Sequence, residues 1–357
     1  MGSSSRLTTL VHGITGADPR AADAARRRFA ELAVPPGALG ELVDVGARLA
    51  AIAGDCPPPV PNDPGLVVAA ADHGVYAQQV SPWPQTVTAA MVRTLCEGRA
   101  TANAFAGVTG VRVRVLDVGL ATPVQDGPGL CRANVAPGTR DLSVEPAMTS
   151  REVTDAVLAG VASAEELLGE GVDLLVTGDM GIANTTAAAA LVTAFAGRDA
   201  DEVTGPGTGV DDATMRRKVA AVAAAVARHR EDGPWDMLAG VGGLEHAALV
   251  GVILAGAAAR VPVLLDGVSA GAAALAAAAI APASADHLFA GHRSTEPGAD
   301  VALAQLGLRP LLDFGLRLGE GTGALLAVPI LRAAAAALHE VATLDEVTGA
   351  GADPAGA

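Results

Sequence analysis

Short, nearly unbroken apolar runs recur along the chain between longer alanine-rich stretches with helical spacing. Leu66–Ala71, Val111–Val118, Leu174–Thr177 and Val261–Asp266 are near-continuously apolar rather than alternating, as strands of a parallel sheet covered on both faces should be. Ala21–Ala53 carries a helical pattern broken at Pro35, Pro36 and Gly37, and Cys56–Pro64 is a proline-rich connector. Each apolar run meets a polar or glycine-rich turn: Asp72-His73-Gly74, Asp117-Val118-Gly119, Gly178-Asp179-Met180-Gly181 and Asp266-Gly267. The pattern predicts a doubly wound α/β domain, in which ligands bind at the carboxyl ends of the strands, so these turns are the first candidates for a site. No internal repeat is visible, and the Gly-, Ala- and Pro-rich tail Thr348–Ala357 is expected to be disordered.

Composition narrows this picture. With 357 residues, half of them apolar and 2% aromatic, the chain suits one large domain or a large one with a small companion, packed through small side chains and closely approaching helices. A net charge of −15 argues against nucleic acid or an anionic membrane surface as partner, so any bound anion must be held locally. Cys56, Cys96 and Cys131 are far apart and form no C-x-x-C pair, which fits neither a disulfide framework nor a zinc site and points to a reducing cytoplasm. Ala247–Ala259 and Val268–Ala283, the longest apolar stretches, read as buried helices rather than membrane spans. Met1–Ser5 reads as a start-site leader, Arg6 disfavours a myristoylation signal, and no secretory signal is read.

Three glycine-bearing turns carry the candidate chemistry. Gly178–Thr186 follows a strand and opens an Ala-rich helix, which would offer free N–H groups and the helix dipole to a phosphate; an ordinary N-cap by Asn184 or Thr185 is the alternative. Thr204–Asp212 is a second such turn, and the helix after it carries Lys218, the only lysine in the sequence. That ammonium can fold back on a phosphate as a compact charge, or be a surface group beside Arg216 and Arg217. In Leu318-Gly319-Glu320-Gly321-Thr322-Gly323 one carboxylate lies between glycines, either as a partly buried general base or as a solvated turn acid. Trp83, in the rigid loop Val80–Gln85, is a wall for a planar ring or a packing residue. His73 and His292 read as structural histidines rather than metal ligands, and no metal or cofactor is expected.

Taken in order, these segments resemble the nicotinate-nucleotide:dimethylbenzimidazole phosphoribosyltransferase family over nearly the whole chain. The matching pieces include Pro35–Gly40, Ala71–Val75 through Thr88 and Met91, Asp117–Gly119, Gly138–Arg140, Asp179–Thr186, Gly207–Gly209 with Lys218, Val241–Glu245, Asp266-Gly267, Ser294 with Glu296, and Leu318–Gly323. The resemblance implies a Rossmann-like three-layer α/β/α domain with a mostly parallel sheet (63–329) and a small helical domain built from both chain ends (1–62 with 330–357). It also implies a homodimer that takes nicotinate mononucleotide and 5,6-dimethylbenzimidazole, in cobalamin biosynthesis. Glu320 matches the family's general base, and Asp179 a residue with a possible secondary role. Gly181, Ile182, Asn184, Thr185, Gly207, Thr208, Gly209, Lys218, Asp266, Ser294 and Glu296 match phosphate and ribose positions; Trp83, Pro84, Gln85, Met91 and Leu318 match the base subsite.

The sequence departs from the family pattern in places. Asp179 stands where many relatives have glutamate, setting its carboxylate roughly 1.5 Å farther from the sugar. Ala183 replaces a glycine, Val34 and Ala38 a lysine and a serine, and Asp141 an asparagine. A relative preferring adenine, another benzimidazole or a phenolic acceptor is the nearest rival, since a planar slot separates similar rings weakly. A non-catalytic nucleotide-binding protein of the same fold would not need Glu320, Lys218 and both glycine loops together. A dehydrogenase would need a strand followed by G-x-G-x-x-G, which is missing.

Overall fold

A strand of eight consecutive apolar residues with no polar face is stable only where both sides are covered, and Pro64–Ala71 (β1) is buried at every position. In the computed structural model, which describes residues 3–349, β1 is central to a fully parallel sheet. Its companions are β2 (Arg112–Gly119), β3 (Leu130–Arg132), β4 (Leu174–Met180), β5 (Val263–Leu265), β6 (Leu288–His292) and β7 (Pro310–Leu312). Among the described residues the strands are ordered β3-β2-β1-β4-β5-β6-β7.

The helices are α1 (Ser3–Gly13), α2 (Pro19–Glu31), α3 (Leu42–Ala53), α4 (Thr86–Cys96), α5 (Thr101–Thr109), α6 (Ser150–Gly169), α7 (Asn184–Ala196), α8 (Ala200–Val203), α9 (Asp212–Arg228), α10 (Pro234–Val241), α11 (Leu244–Ala258), α12 (Val268–Ile280), α13 (Pro297–Leu306), α14 (Thr322–Glu340) and α15 (Leu344–Thr348). Alternate residues of β1 feed opposite layers: Val67, Ala69 and Ala71 face α6, α7, α11 and α12, while Leu66, Val68 and Ala70 face α3, α4, α5 and α14. The fold is therefore the expected three-layer α/β/α arrangement. Small residues let its helices close up as the composition suggests: a Cβ at Gly160 would fall 1.8 Å from the Ala248 carbonyl oxygen, and one at Gly251 2.0 Å from that of Val157.

A third cluster joins α2 (Ala21, Ala25, Phe29), α3 (Ala47, Ala50) and Leu338 of α14. Two details depart from the sequence boundaries. Helix α1 packs on α6 and α11 and buries Leu7 in the main core instead, because its apolar stripe has that layer to cover. Helix α14 runs unbroken past residue 330, through Pro329. Ser3–Ser5 form the first turn of α1, and Thr348 closes α15 with Gly349 as its C-cap; Met1, Gly2 and residues 350–357 lie outside the described residues. Among the described residues one helix, α14, is long and apolar enough to cross a membrane, and its inner face forms part of the second core layer.

The order places β2 on one side of β1 and β4 on the other. A doubly wound sheet opens a crevice at such a reversal, and it falls between the turns at Asp72–Gly74 and Gly178–Gly181.

Candidate active site

The turn after β4 is shaped by close approach. A Cβ on Gly178 would lie 2.8 Å from the main-chain carbon of Glu320, and one on Gly181 2.5 Å from the Ala71 carbonyl oxygen. Ala183 then takes a left-handed φ of 76° as the residue before α7, and no side chain caps that helix. Asn184 turns its amide to the Asp179 carboxylate, and Thr185 Oγ1 accepts from Lys218 Nζ at 3.1 Å. The simple N-cap alternative for these two residues therefore falls. Ile182 is held from behind, its N–H donating to Thr88 Oγ1 at 3.1 Å.

Lys218 is not a surface residue: it is 1% exposed, and its ammonium also donates to the Gly205 carbonyl at 2.8 Å. It reaches there because Asp211 caps α9 and places position 218 on the inward face. Burial lowers its pKa, against the pull of Glu296. Glu296 accepts from Gly207 N–H at 2.8 Å, while Arg317 donates to the Gly207 carbonyl, so this loop is gripped from both sides. Burial raises the Glu296 carboxyl, against the Lys218 charge. The Ser294 hydroxyl accepts from Glu296 N–H at 3.4 Å, and Gly209 sits at φ +103° in open space.

The third turn approaches from the end of the chain. Gly319, Glu320 and Gly321 have φ of 83°, 60° and 85°, three left-handed residues in a row. For a glutamate this is strained and persists only where the surroundings fix it. Here they do: Asp266 accepts main-chain N–H bonds from Gly321 (3.1 Å), Gly323 (2.8 Å) and Ala324 (3.1 Å), and Glu320 N–H donates to the Asp179 carbonyl at 3.2 Å. The Glu320 carboxylate is 4% exposed and accepts from Ala102 N–H at 3.5 Å, at the start of α5. Burial raises its pKa, opposed by that bond and reinforced by Asp266. It is not a solvated turn acid. Asp179 is pushed up to about 6, first by burial and then by Asp266, against the opposing charge of His246.

Asp179, Asn184, Thr185, Gly207, Thr208, Ser294, Glu296 and Leu318 line one pocket at the carboxyl ends of β4, β5 and β6. Lys218 backs it through Thr185, and Asp266 and Glu320 through the turns just described. Trp83, Pro84, Gln85 and Met91 do not line it: Trp83 is 51% exposed in the loop before α4, and Met91 packs in the second core layer. Gln85 instead donates to the His73 carbonyl at 3.2 Å.

Two features had no role assigned from sequence. Arg317 lines the pocket and ties its two glycine loops together. Beneath the floor, His73, Glu245 and His246 are fully buried, with Glu245 Oε1 at 2.9 Å from His73 Nε2 and 2.7 Å from His246 Nδ1. A charged pair opening the otherwise apolar α11 was the available signal. Among the described residues no group of three His, Cys, Asp or Glu side chains is arranged to hold a metal.

Residues 14–348 match a family model described as phosphoribosyltransferase. The nicotinate-nucleotide–dimethylbenzimidazole phosphoribosyltransferase of Salinispora tropica is 54% identical over 330 residues, covering 88% of this chain and 91% of that protein. The protein of the same name from Thermus thermophilus is 50% identical, covering 92% and 98%. A crystal structure of the Thermus thermophilus enzyme superposes with a TM-score of 0.89 at 49% identity, covering 93% of this chain and 98% of that one.

Proposed function

This chain belongs to the nicotinate-nucleotide–dimethylbenzimidazole phosphoribosyltransferase family, and we propose that Glu320 is its general base beside a pocket that grips the donor's ribose phosphate. The enzyme transfers the 5-phosphoribosyl group of nicotinate mononucleotide to 5,6-dimethylbenzimidazole, giving α-ribazole 5′-phosphate and nicotinate in cobalamin biosynthesis.

The donor's pyridinium is already a good leaving group, so the reaction asks the protein for placement and the removal of one proton. A lone pair on one nitrogen of the benzimidazole attacks C1′ from the α face. The C1′–N bond to nicotinate breaks, its electron pair returning to the pyridine nitrogen, and the proton on the other benzimidazole nitrogen passes to Glu320. Attack opposite the leaving group turns a β-nucleotide into an α-nucleotide. Lys218, Thr185, Asn184, Ser294 and the turns around Gly181 and Thr208 would hold the phosphate and ribose, with the uncapped amino end of α7 favouring the anion. Asp179, beside the sugar, would offset positive charge developing at C1′. Asp266 acts one step back, since three main-chain N–H groups already engage its carboxylate. Trp83, Met91 and Leu318 belong to the acceptor side.

The observation that carries this reading is Glu320 itself, a buried carboxylate whose pKa burial raises, fixed between glycines against the Asp179 carbonyl. Its raised pKa makes it a stronger base than an exposed glutamate. The test is Glu320→Gln, assayed by nicotinate release and product mass. The variant should fold normally and lose on the order of 10²–10⁴ in turnover; full activity at neutral pH would remove Glu320 from the role. The reading extends to a cytoplasmic homodimer, consistent with the three free thiols, and with the strongly acidic charge nucleic acid and anionic membranes are not its partners.

A further inference from the structure

Three main-chain N–H groups tie the Glu320 turn to Asp266, and His292 stands against that same carboxylate. Strands β5 and β6 pair in register, Leu265 beside Ala290, so their ends bring His292 next to the residue that follows β5. His292 Nε2 lies 3.4 Å from Asp266 Oδ1, the oxygen that accepts from Gly323 N–H and Ala324 N–H. A carboxylate can only accept, so the ring nitrogen facing it carries the proton. Both side chains are buried, 2% and 0% exposed. His292 Nδ1 has no hydrogen-bond partner among the described residues, which leaves Asp266 as the polar contact that orients the ring. The imidazole also touches the turn directly. A Cβ on Gly323 would fall 1.9 Å from His292 Cδ2, so glycine is what lets the ring lie against the first turn of α14. The same ring lines the donor pocket with Gly267 and Ser294.

We infer that His292 is a positioning residue for the transfer: it braces the Asp266 carboxylate and the first turn of α14, and through them fixes Glu320 where it can take the proton. This rests on Glu320 being the base. A glutamate at φ 60° between two left-handed glycines relaxes unless its surroundings over-determine it. The three N–H bonds to Asp266 tie the carboxylate to the turn, but they do not tie either one to the sheet. One end of the turn reaches β4 through the Glu320 N–H bond to the Asp179 carbonyl. At the other end, the main chain of Asp266 is anchored on Thr177 Oγ1 at 3.3 Å, and its side chain is met from β6 by His292. The competing account is a ring that only fills space beside the donor, in which case its loss falls on donor binding rather than on the base.

The test is a cycle of wild type, His292→Ala, Glu320→Gln and the double variant, with kcat and the KM for nicotinate mononucleotide read from nicotinate release. His292→Ala should lose about 10–100-fold in kcat, the scale of a slightly misplaced catalytic group, while its donor KM stays within about threefold of wild type. In the Glu320→Gln background the same substitution should cost less than about threefold, because the base it positions is already gone. His292→Gln, whose amide nitrogen can donate from near the place of Nε2, should recover most of the lost kcat. Four results would overturn the inference while leaving an impaired Glu320→Gln and the reaction intact: no loss in His292→Ala, a loss carried by the donor KM, a loss of equal size in both Glu320 backgrounds, or a His292→Gln rate no better than that of His292→Ala. Full activity of Glu320→Gln would instead remove the base, and this inference with it. If His292→Ala does not fold, histidine 15N NMR of the wild-type enzyme decides: a proton on His292 Nε2 supports the assignment, and a bare Nε2 overturns it.

Discussion

On the donor side of the pocket, Lys218, Glu296 and Asp266 are at most 5% exposed, and every one of them is spent on a neighbour: Lys218 on Gly205 and Thr185, Glu296 on Gly207, Asp266 on the amino end of α14. Of the residues proposed for the acceptor, Trp83 and Leu318 are 51% and 55% exposed, and Phe314 nearby in sequence is 69% exposed. The donor half is set before substrate arrives, and the acceptor half is apolar surface with little to fix it. Preorganisation favours tight, selective binding, while an apolar slot separates similar planar rings only weakly. The contrast therefore predicts an enzyme strict about its sugar phosphate and lenient about its base.

The strongest test of the strict half is Lys218→Met. It removes the ammonium proposed to meet the phosphate, together with its hydrogen bonds to Gly205 and Thr185, a loss of about 1.5–3 kcal/mol for bonds to a charged group. Titration with nicotinate mononucleotide should show donor affinity falling by about ten- to a hundredfold, with a lower melting temperature. Unchanged donor affinity would show that the glycine loops alone carry the phosphate.

Asp179 shows what the arrangement costs the fold. Its pKa rises from 3.8 to about 6 in the folded protein, so the folded state holds that proton more tightly than the unfolded chain. The penalty is absent below pH 3.8, grows as pH rises towards 6, and is complete above it. At about 1.4 kcal/mol per pH unit this amounts to roughly 3 kcal/mol. Asp179→Asn should accordingly gain stability over wild type at pH 7.5 and little at pH 4, as read by denaturant melts. An equal difference at the two pH values would rule out ionisation as the cause.

Ala183 is a smaller local cost. At φ +76° it occupies a region where an L-residue loses roughly 1 kcal/mol. Ala183→Gly should recover about 0.5–1 kcal/mol of stability, the greater freedom of glycine in the unfolded chain offsetting part of the relief. Donor binding should be unchanged, because the Ala183 side chain makes no polar contact.

The sequence was most legible where local rules suffice. Near-continuous apolar runs gave β1, β2, β4 and β5, and the polar turns after β4 and β5 reach the pocket. The edge strands were not legible: β3 and β7 have three residues each, β7 begins with Pro310, and β6 ends in Gly291-His292, too short and mixed to show a period. The same limit applied within the site. Lys218 stood out because its helix follows a glycine loop, whereas the Arg317 bond to Gly207 joins segments 110 positions apart, and no spacing rule reaches that far. Whether Glu320 was buried or solvated depended on α5 packing over it through Ala102, which is a fact of tertiary structure.

The lenient half should respond least to substitution. Leu318 is more than half exposed, so Leu318→Ala removes little buried area, and at about 25 cal/mol per Å² the change should stay below about 1 kcal/mol. Its KM for nicotinate mononucleotide should hold, and its KM for 5,6-dimethylbenzimidazole should rise by no more than a few-fold. The informative readout is the ranking of a panel of planar bases, because a wider slot should favour bulkier rings even where the total rate barely moves. A loss of turnover as large as that of Lys218→Met would mean that the acceptor side is as tightly organised as the donor side, with Leu318 closing on the base once it binds. The contrast between the halves would then describe only the empty enzyme.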